Sequence, residues 1–269
     1  MQVLSGIRAK SRFQLAAVLR RHRGAVTVKE AAVVLHLPAL DTAKLMARWV
    51  QQGWLARVRR GLYVPVPVEG FTAEGATHNP GLLAAHVFAP CYLAGWSAAT
   101  HWGLTPRTAP VVMVSTTRKV GRAEMTFGGS NYQIKKITPA QFFGTKAVWR
   151  DGTWIKISDP HKTIVDMLDD PGLGGGARGV ERVFRAYFET PLRDLDQLIA
   201  YAQQMKNGAI FKRLGWLLER CGVTDATALA AVRAHLTAGN AKIDARLICN
   251  RLITRWRLWI PKDDATSRA

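Results

Sequence analysis

The sequence predicts an α+β protein. A small N-terminal unit of helices is closed by a basic two-stranded ribbon, and a larger C-terminal α/β module carries a mixed sheet and several helices. Three observations predict it. Residues 27–66, TVKEAAVVLHLPALDTAKLMARWVQQGWLARVRRGLYVPV, run from helix pattern to Pro turn to amphipathic helix to ribbon. Residues 82–260 place strand-rich segments first, then helical patterns, then an aromatic, strand-like close. The formal charge of +19 is concentrated: residues 1–68 hold twelve Lys or Arg against the acids Glu30 and Asp41, a net of +10.

In chain order, Lys10 to His22 is the first amphipathic helix, with Phe13, Leu15, Ala16, Val18 and Leu19 on its apolar side. Arg20, Arg21 and Arg23 suit the negative pole of that helix or a phosphate. Thr27 caps the next helix, and Glu30 three residues on completes a capping box. Ala31, Ala32, Val34, Leu35 and Leu37 supply its apolar surface, and Pro38 ends it. From Ala39 to Gln52, Leu45, Met46, Trp49 and Val50 fall on one side of a 3.6-residue wheel; Asp41, Lys44, Arg48 and Gln51 fall on the other. Gly53 is placed for a left-handed helix end. Trp54 to Val58 and Leu62 to Val66 read as strands around an Arg59-Arg60-Gly61 tip, with Pro65 and Pro67 suited to an edge strand and its exit. Phe13, Leu19, Leu35, Leu45 and Trp49 are the expected core.

This order of parts is that of a winged helix-turn-helix, whose second helix reads a major groove and whose wing lies along the phosphates. The candidate DNA contacts are Thr27, then Asp41, Thr42, Lys44, Arg48 and Gln51 on the second helix, then Arg57, Arg59 and Arg60 on the wing. The expected domains are residues 1–68 for the reader, a Pro/Gly/Thr-rich linker at 69–80 that lets the units move separately, and 81–269 for the second module.

In that module Leu82 to Phe88 is helical, Tyr92 to Ala99 is a strand end or turn running into a helix, and Gly103 closes it. Val111–Ser115, Met125–Phe127, Tyr132–Ile137 and Trp154–Ile157 are strand candidates. Asp159-Pro160 opens an N-capped helix. Pro171 to Gly179 reads as a flexible glycine-rich connection. Helices follow at about 179–188, 192–206, 209–221 and 224–236, and Leu247 to Ile260 reads as one closing strand. Arg118, Lys119, Lys135, Lys136, Arg251, Arg255 and Arg257 form a candidate second basic patch.

The charge and the pI near 10.6 imply a polyanionic partner. Three widely spaced cysteines make no C-x-x-C pair and no zinc pattern with the seven histidines, so buried thiols in a reducing cytosol are expected, with no metal or other cofactor. No apolar h-region and no membrane-length apolar run is present, so the expected location is cytoplasmic. Catalytic motifs fail one by one. Gly172 to Gly176 lacks the Gly-Lys-Ser/Thr end of a P-loop, because Gly179-Val180-Glu181 follows. Gly129-Ser130 could begin a nucleotidyltransferase site, but residues 131–150 contain no aspartate for its metals. Lys135 and Lys156 have Gln133 and Trp154 where a metal nuclease places its acid. His161 and Asp166 are five apart, one more than a metal pair on a helix requires. The chain therefore reads as a non-enzyme.

The chain resembles the AbiE-type antitoxin family of bacterial transcriptional regulators from type IV toxin–antitoxin systems. The matching pieces are Gly53-Trp54-Leu55…Arg59-Arg60-Gly61-Leu62-Tyr63, Tyr92-Leu93-Ala94-Gly95-Trp96-Ser97-Ala98…Trp102-Gly103-Leu104, Asp159-Pro160-His161-Lys162-Thr163…Asp166, and Arg213-Leu214-Gly215-Trp216-Leu217-Leu218-Glu219. They span nearly the whole chain in the family order. Where the family often has an acid before Lys162, this chain has His161. The resemblance implies binding to inverted repeats at the protein's own promoter and repression of the operon. It also implies neutralisation of a co-encoded nucleotidyltransferase-like toxin without a stable complex, the second domain carrying that effect. The alternatives are a repressor with no toxin partner, an RNA-binding module and a nucleic-acid enzyme.

Overall fold

Helices in the N-terminal unit start and stop where the sequence supplies caps. The computed structural model describes residues 8–21, 25–66, 79–106, 110–150 and 153–262. Helix α1 (Ala9–Arg21) is followed by strand β1 (Val26–Thr27) and helix α2 (Val28–Leu35). Thr27 Oγ1 accepts from the Glu30 amide at 3.2 Å, and the Glu30 carboxylate accepts from the Thr27 amide at 2.7 Å. That reciprocal pair satisfies two backbone donors that a helix start leaves open. Helix α2 ends before Pro38: His36 turns left-handed at φ 50°, and Pro38 stands at the N-cap of α3 (Ala39–Gln51). At the other end of α3, Gly53 takes φ 80°. The Trp54 amide then donates to the Trp49 carbonyl at 2.9 Å and the Gly53 amide to Val50 at 3.0 Å, a Schellman close.

Strands β2 (Leu55–Arg59) and β3 (Leu62–Pro65) form the wing, and β3 lies between β1 and β2. The edge-strand reading of Pro65 is thus corrected: β3 is central. Pro65 is tolerated because the Val66 amide points to β2, so the Pro65 nitrogen points to the opposite side, past the end of the two-residue β1. Inside the unit, Trp49 and Met46 are fully buried with Leu15, Val18 and Ala31. Trp49 Nε1 donates to Ser11 Oγ at 2.7 Å, tying α3 to α1. Phe13 is not in this core; it is 69% exposed, because Leu15 and Val18 take the inward side of α1.

The C-terminal module is built on a six-stranded mixed sheet of β4 (Cys91–Leu93), β5 (Val111–Thr116), β6 (Glu124–Phe127), β7 (Ser130–Lys136), β8 (Thr145–Arg150) and β9 (Thr153–Ser158). The order is β6-β7-β5-β4-β9-β8, parallel at β5/β7 and β4/β9 and antiparallel elsewhere. Helices α4 (Pro80–Phe88) and α5 (Gly95–His101) cover one face through Leu82, Leu83, Val87 and Ala98. Helix α6 (Pro160–Asp169) lies on the other, where Tyr92 and Lys135 reach its acids. Helices α7 (Ala177–Phe188), α8 (Leu195–Met205), α9 (Gly208–Arg220) and α10 (Ala226–Arg233) complete the largest apolar core around Ile164, Leu168, Phe184, Leu214 and Trp256.

Two sequence readings are corrected here. The expected single closing strand is broken: β11 (Arg251–Ile253) and β12 (Leu258–Ile260) are separated by a 3-10 turn that ends on Arg257 at φ 51°. With β10 (Ala241–Lys242) they form a separate three-stranded sheet. The glycine-rich segment is a packed corner, not a flexible connection. Leu173 is fully buried, and a Cβ on Gly179 would stand 1.9 Å from the Gly174 carbonyl oxygen, a space only glycine leaves open.

The expected linker at 69–80 lies mostly outside the described residues. What the two units do across it is visible. Ala25, Leu62 and Val64 share one buried cluster with Leu83, Ala84, Val87, Phe88, Val114, Phe127, Tyr132 and Ile134, and Ala56 and Val58 pack against it. The opposite side of the wing, through Leu55 and Tyr63, belongs to the helical core. Strand β3 is therefore covered on both sides, which opposes the separate movement expected of the units.

Candidate nucleic-acid interface

The amphipathic pattern of α3 becomes a physical division. Thr42, Met46 and Trp49 point inward, while Asp41, Lys44, Arg48 and Gln51 are exposed. Lys44 Nζ lies 3.9 Å from the Asp41 carboxylate, and both remain more than half exposed, so water screens the pair and Lys44 stays available to a phosphate. Two proposed contacts are otherwise engaged. Thr42 is fully buried, and its hydroxyl donates to the Pro38 carbonyl at 3.0 Å, which removes it from any duplex-facing surface. Thr27 spends its hydroxyl on the cap of α2.

On the wing, Arg57 and Arg60 are exposed, Gly61 makes the tip at φ 76°, and the Arg59 side chain lies outside the described residues. The strand pairing shifts between Arg57 and Arg59, so Val58 is a bulge residue. Its side chain packs towards the second module while the flanking Arg57 remains exposed.

Of the seven basic residues expected to form a second patch, Lys135, Arg255 and Arg257 are engaged within the fold. Lys135 is 19% exposed and bonds Asp169 at 2.5 Å, because its strand faces the end of α6. Arg255 grips Glu219 at 2.7 and 2.8 Å, and Arg257 donates to the Ala238 carbonyl at 2.5 Å. Lys119, Lys136 and Arg251 are exposed. Arg118 is half-buried, with its guanidinium 3.4 Å from the Val87 carbonyl. Arg118 and Lys119 follow β5 and Lys136 ends β7, whereas Arg251, Arg255 and Arg257 belong to the separate C-terminal sheet. Val120, next to Lys119, packs on the same cluster as wing residue Val58. That link between wing and second module had no sequence signal other than the unbroken apolar run Leu62-Tyr63-Val64.

The polar motifs of the second module are turned inward. Lys162, fully buried, donates to Asp166 and, at 3.2 Å, to the Tyr92 hydroxyl; that hydroxyl donates to Asp166 at 2.9 Å. Burial pushes the Asp166 carboxyl up, against the lowering pull of the Lys162 charge. Asp159 caps α6 through the Lys162 amide at 2.7 Å and accepts from Tyr201 at 2.9 Å. His161 lies 2.9 Å from the Tyr187 hydroxyl. Arg213 donates to the Leu168 carbonyl at the end of α6 at 2.6 Å and to the Lys242 carbonyl at 2.8 Å. Gly215 leaves room for the Trp256 ring, which a Cβ would meet at 2.1 Å. These are the groups of a packed core, and no group of three or more His, Cys, Asp or Glu side chains among the described residues is placed to hold a metal ion.

Comparison with known proteins bears on the N-terminal unit directly. Residues 14–66 match the family model described as transcriptional regulator, AbiEi antitoxin. Over that stretch the N-terminal unit is similar to an AbiEi-type regulator domain. The match begins inside α1 and ends just past β3, so it covers both helices of the helix-turn-helix and the wing. The whole fold is similar to the crystal structure of the RV2827C protein from Mycobacterium tuberculosis, at 16% identity and a TM-score of 0.62. That match covers 96% of this chain and 94% of the other. At that identity the likeness concerns the fold. No curated protein matches the chain. Among the described residues no helix is long and apolar enough to cross a membrane.

Proposed function

We propose that this protein is a DNA-binding autorepressor and the antitoxin of a type IV toxin–antitoxin system, acting in the cytoplasm on an operator of inverted repeats. The observation that carries the reading is the exposed row Lys44, Arg48 and Gln51 on α3, beside a wing with Arg57 and Arg60, within an AbiEi-type domain. Arg48 and Gln51 reach base edges, and the wing arginines hold phosphates. Arg118 and Lys119 extend the phosphate-binding surface, since their turn packs on the apolar cluster that the wing shares. The partner to be neutralised is a co-encoded nucleotidyltransferase-like toxin, and the protein itself is not an enzyme. The boundaries proposed are 1–68 for the reader and 81–269 for the antitoxin domain.

A gel-shift titration on the DNA upstream of the coding region tests the reading. With about six phosphates neutralised, log K falls with log salt at a slope near −5. A slope near zero, or equal affinity for random duplex, would sink it. Growth of cells carrying the neighbouring toxin-like reading frame tests the second half. Full-length protein with Arg48→Ala and Arg60→Ala should lose repression and still protect; loss of protection would assign that effect to repression.

A further inference from the structure

The sheet of the second module ends in a hairpin unlike its other edge. Strands β8 and β9 carry Trp149 and Trp154 directly opposite one another, 56% and 63% exposed, with ring centroids 5.1 Å apart at 65°. Pairing and alternation put Ala147 and Lys156 on the same face as these rings. Lys156 is exposed, and its ammonium lies 5.1 Å from the Phe142 ring centre. The opposite face of the same strands carries Lys146, 5.5 Å from the Trp102 ring centre, and Arg150, 2.9 Å from His101. From Thr145 to Ser158 the sequence has three cations and one acid, Asp151.

We propose that this hairpin is a binding surface for unpaired nucleic acid, separate from the winged helix: Trp149 and Trp154 stack on bases, and Lys156 holds the backbone. A cross-strand Trp pair can serve a hairpin alone, but rings this exposed bury little area for its stability. An acidic peptide would answer the cations and leave both indoles in water, whereas a single strand presents base faces and phosphates together. Paired bases cannot reach the rings without leaving their stack, which separates this surface from a duplex reader. Cations on the edge strand, Lys146 and Arg150, also discourage the addition of a strand from a second copy.

The test is fluorescence anisotropy with the full chain at low salt, using labelled oligo-dT and oligo-U of about twelve nucleotides, beside a labelled duplex operator. Trp149→Leu with Trp154→Leu should weaken the single strands about ten-fold or more, and Trp149→Phe with Trp154→Phe should restore most of the loss. Lys156→Gln, which leaves both rings in place, should flatten the salt dependence. Duplex affinity and melting temperature should stay unchanged in all three. The proposal is overturned if the wild-type chain binds neither oligonucleotide, or if the Leu pair binds them as well as wild type. It is equally overturned if sedimentation shows that the Trp pair holds a dimer which the Leu variant dissociates. Failure of duplex binding alone would count against the repressor reading and leave this one standing.

Discussion

Thr42 and Arg48 sit six residues apart on α3, and their different fates follow from helix geometry. A six-residue step turns the helix by about 600°, well over half a turn beyond one full revolution, so one side chain is buried while the other faces water. On the proposed reading, in which Arg48 contacts a base edge, Arg48→Ala should cost about 1–3 kcal/mol of operator binding and relax base preference. Arg60→Ala should weaken cognate and random duplex alike; competition gel shifts separate the two, and equal loss of both duplexes on Arg48→Ala would show that α3 does not read bases. At Asp169 burial raises the carboxyl, but the Lys135 charge and hydrogen bonds from Lys135 and Asn207 outweigh it and hold the group below its ordinary 3.8. A carboxyl depressed by folding contributes stability above its unfolded value and loses it as pH falls through the folded one. Asp169→Asn should therefore cost about 1–2 kcal/mol near neutral pH, with the gap to wild type closing below pH 4, in urea titrations at several pH values.

Elements were legible where local chemistry decides them. The capping box at Thr27, the glycine end of α3 and the Asp159 cap of α6 all stand where the residues point. Thr27→Ala removes the side-chain half of the box and should lower stability by about 1 kcal/mol, read as a shift in denaturant midpoint at unchanged slope. Gly53→Ala places a Cβ at φ 80° and should cost about 1–2 kcal/mol by the same measurement. Elements were missed where neighbours decide them. Strand β4 was read only as a strand end or turn; it has three residues and stands between β5 and β9. Strand β8 follows a 3-10 turn and alternates weakly, since it is an edge with much of both faces in water. Trp256 breaks the closing run because its ring fills the space over Gly215, which interrupts the strand with a turn.

At the scale of the molecule, the wing is the shared element. Val64 is fully buried between the helices and the second module, so Val64→Asp should leave a charge without a partner and unfold both units together. Leu62→Ala is the milder probe: about 2–4 kcal/mol lost, with near-ultraviolet dichroism and operator binding falling in one transition. Two separated transitions would show that the cluster does not couple the units.

The sequence by itself determined the α+β class, the order of parts in the N-terminal unit, the caps and the polar side of α3. Each of these rests on periodicity or on a bond within five residues. Only the tertiary structure decided which polar groups of the second module reach water. Lys135, Arg255 and Arg257 look like a basic patch in the chain, yet acids and carbonyls distant in sequence engage them. Phe13 looks like core and is exposed, while the charged Lys162 is buried against Asp166. Burial depends on what packs opposite, and contacts across dozens of residues leave no local period to read.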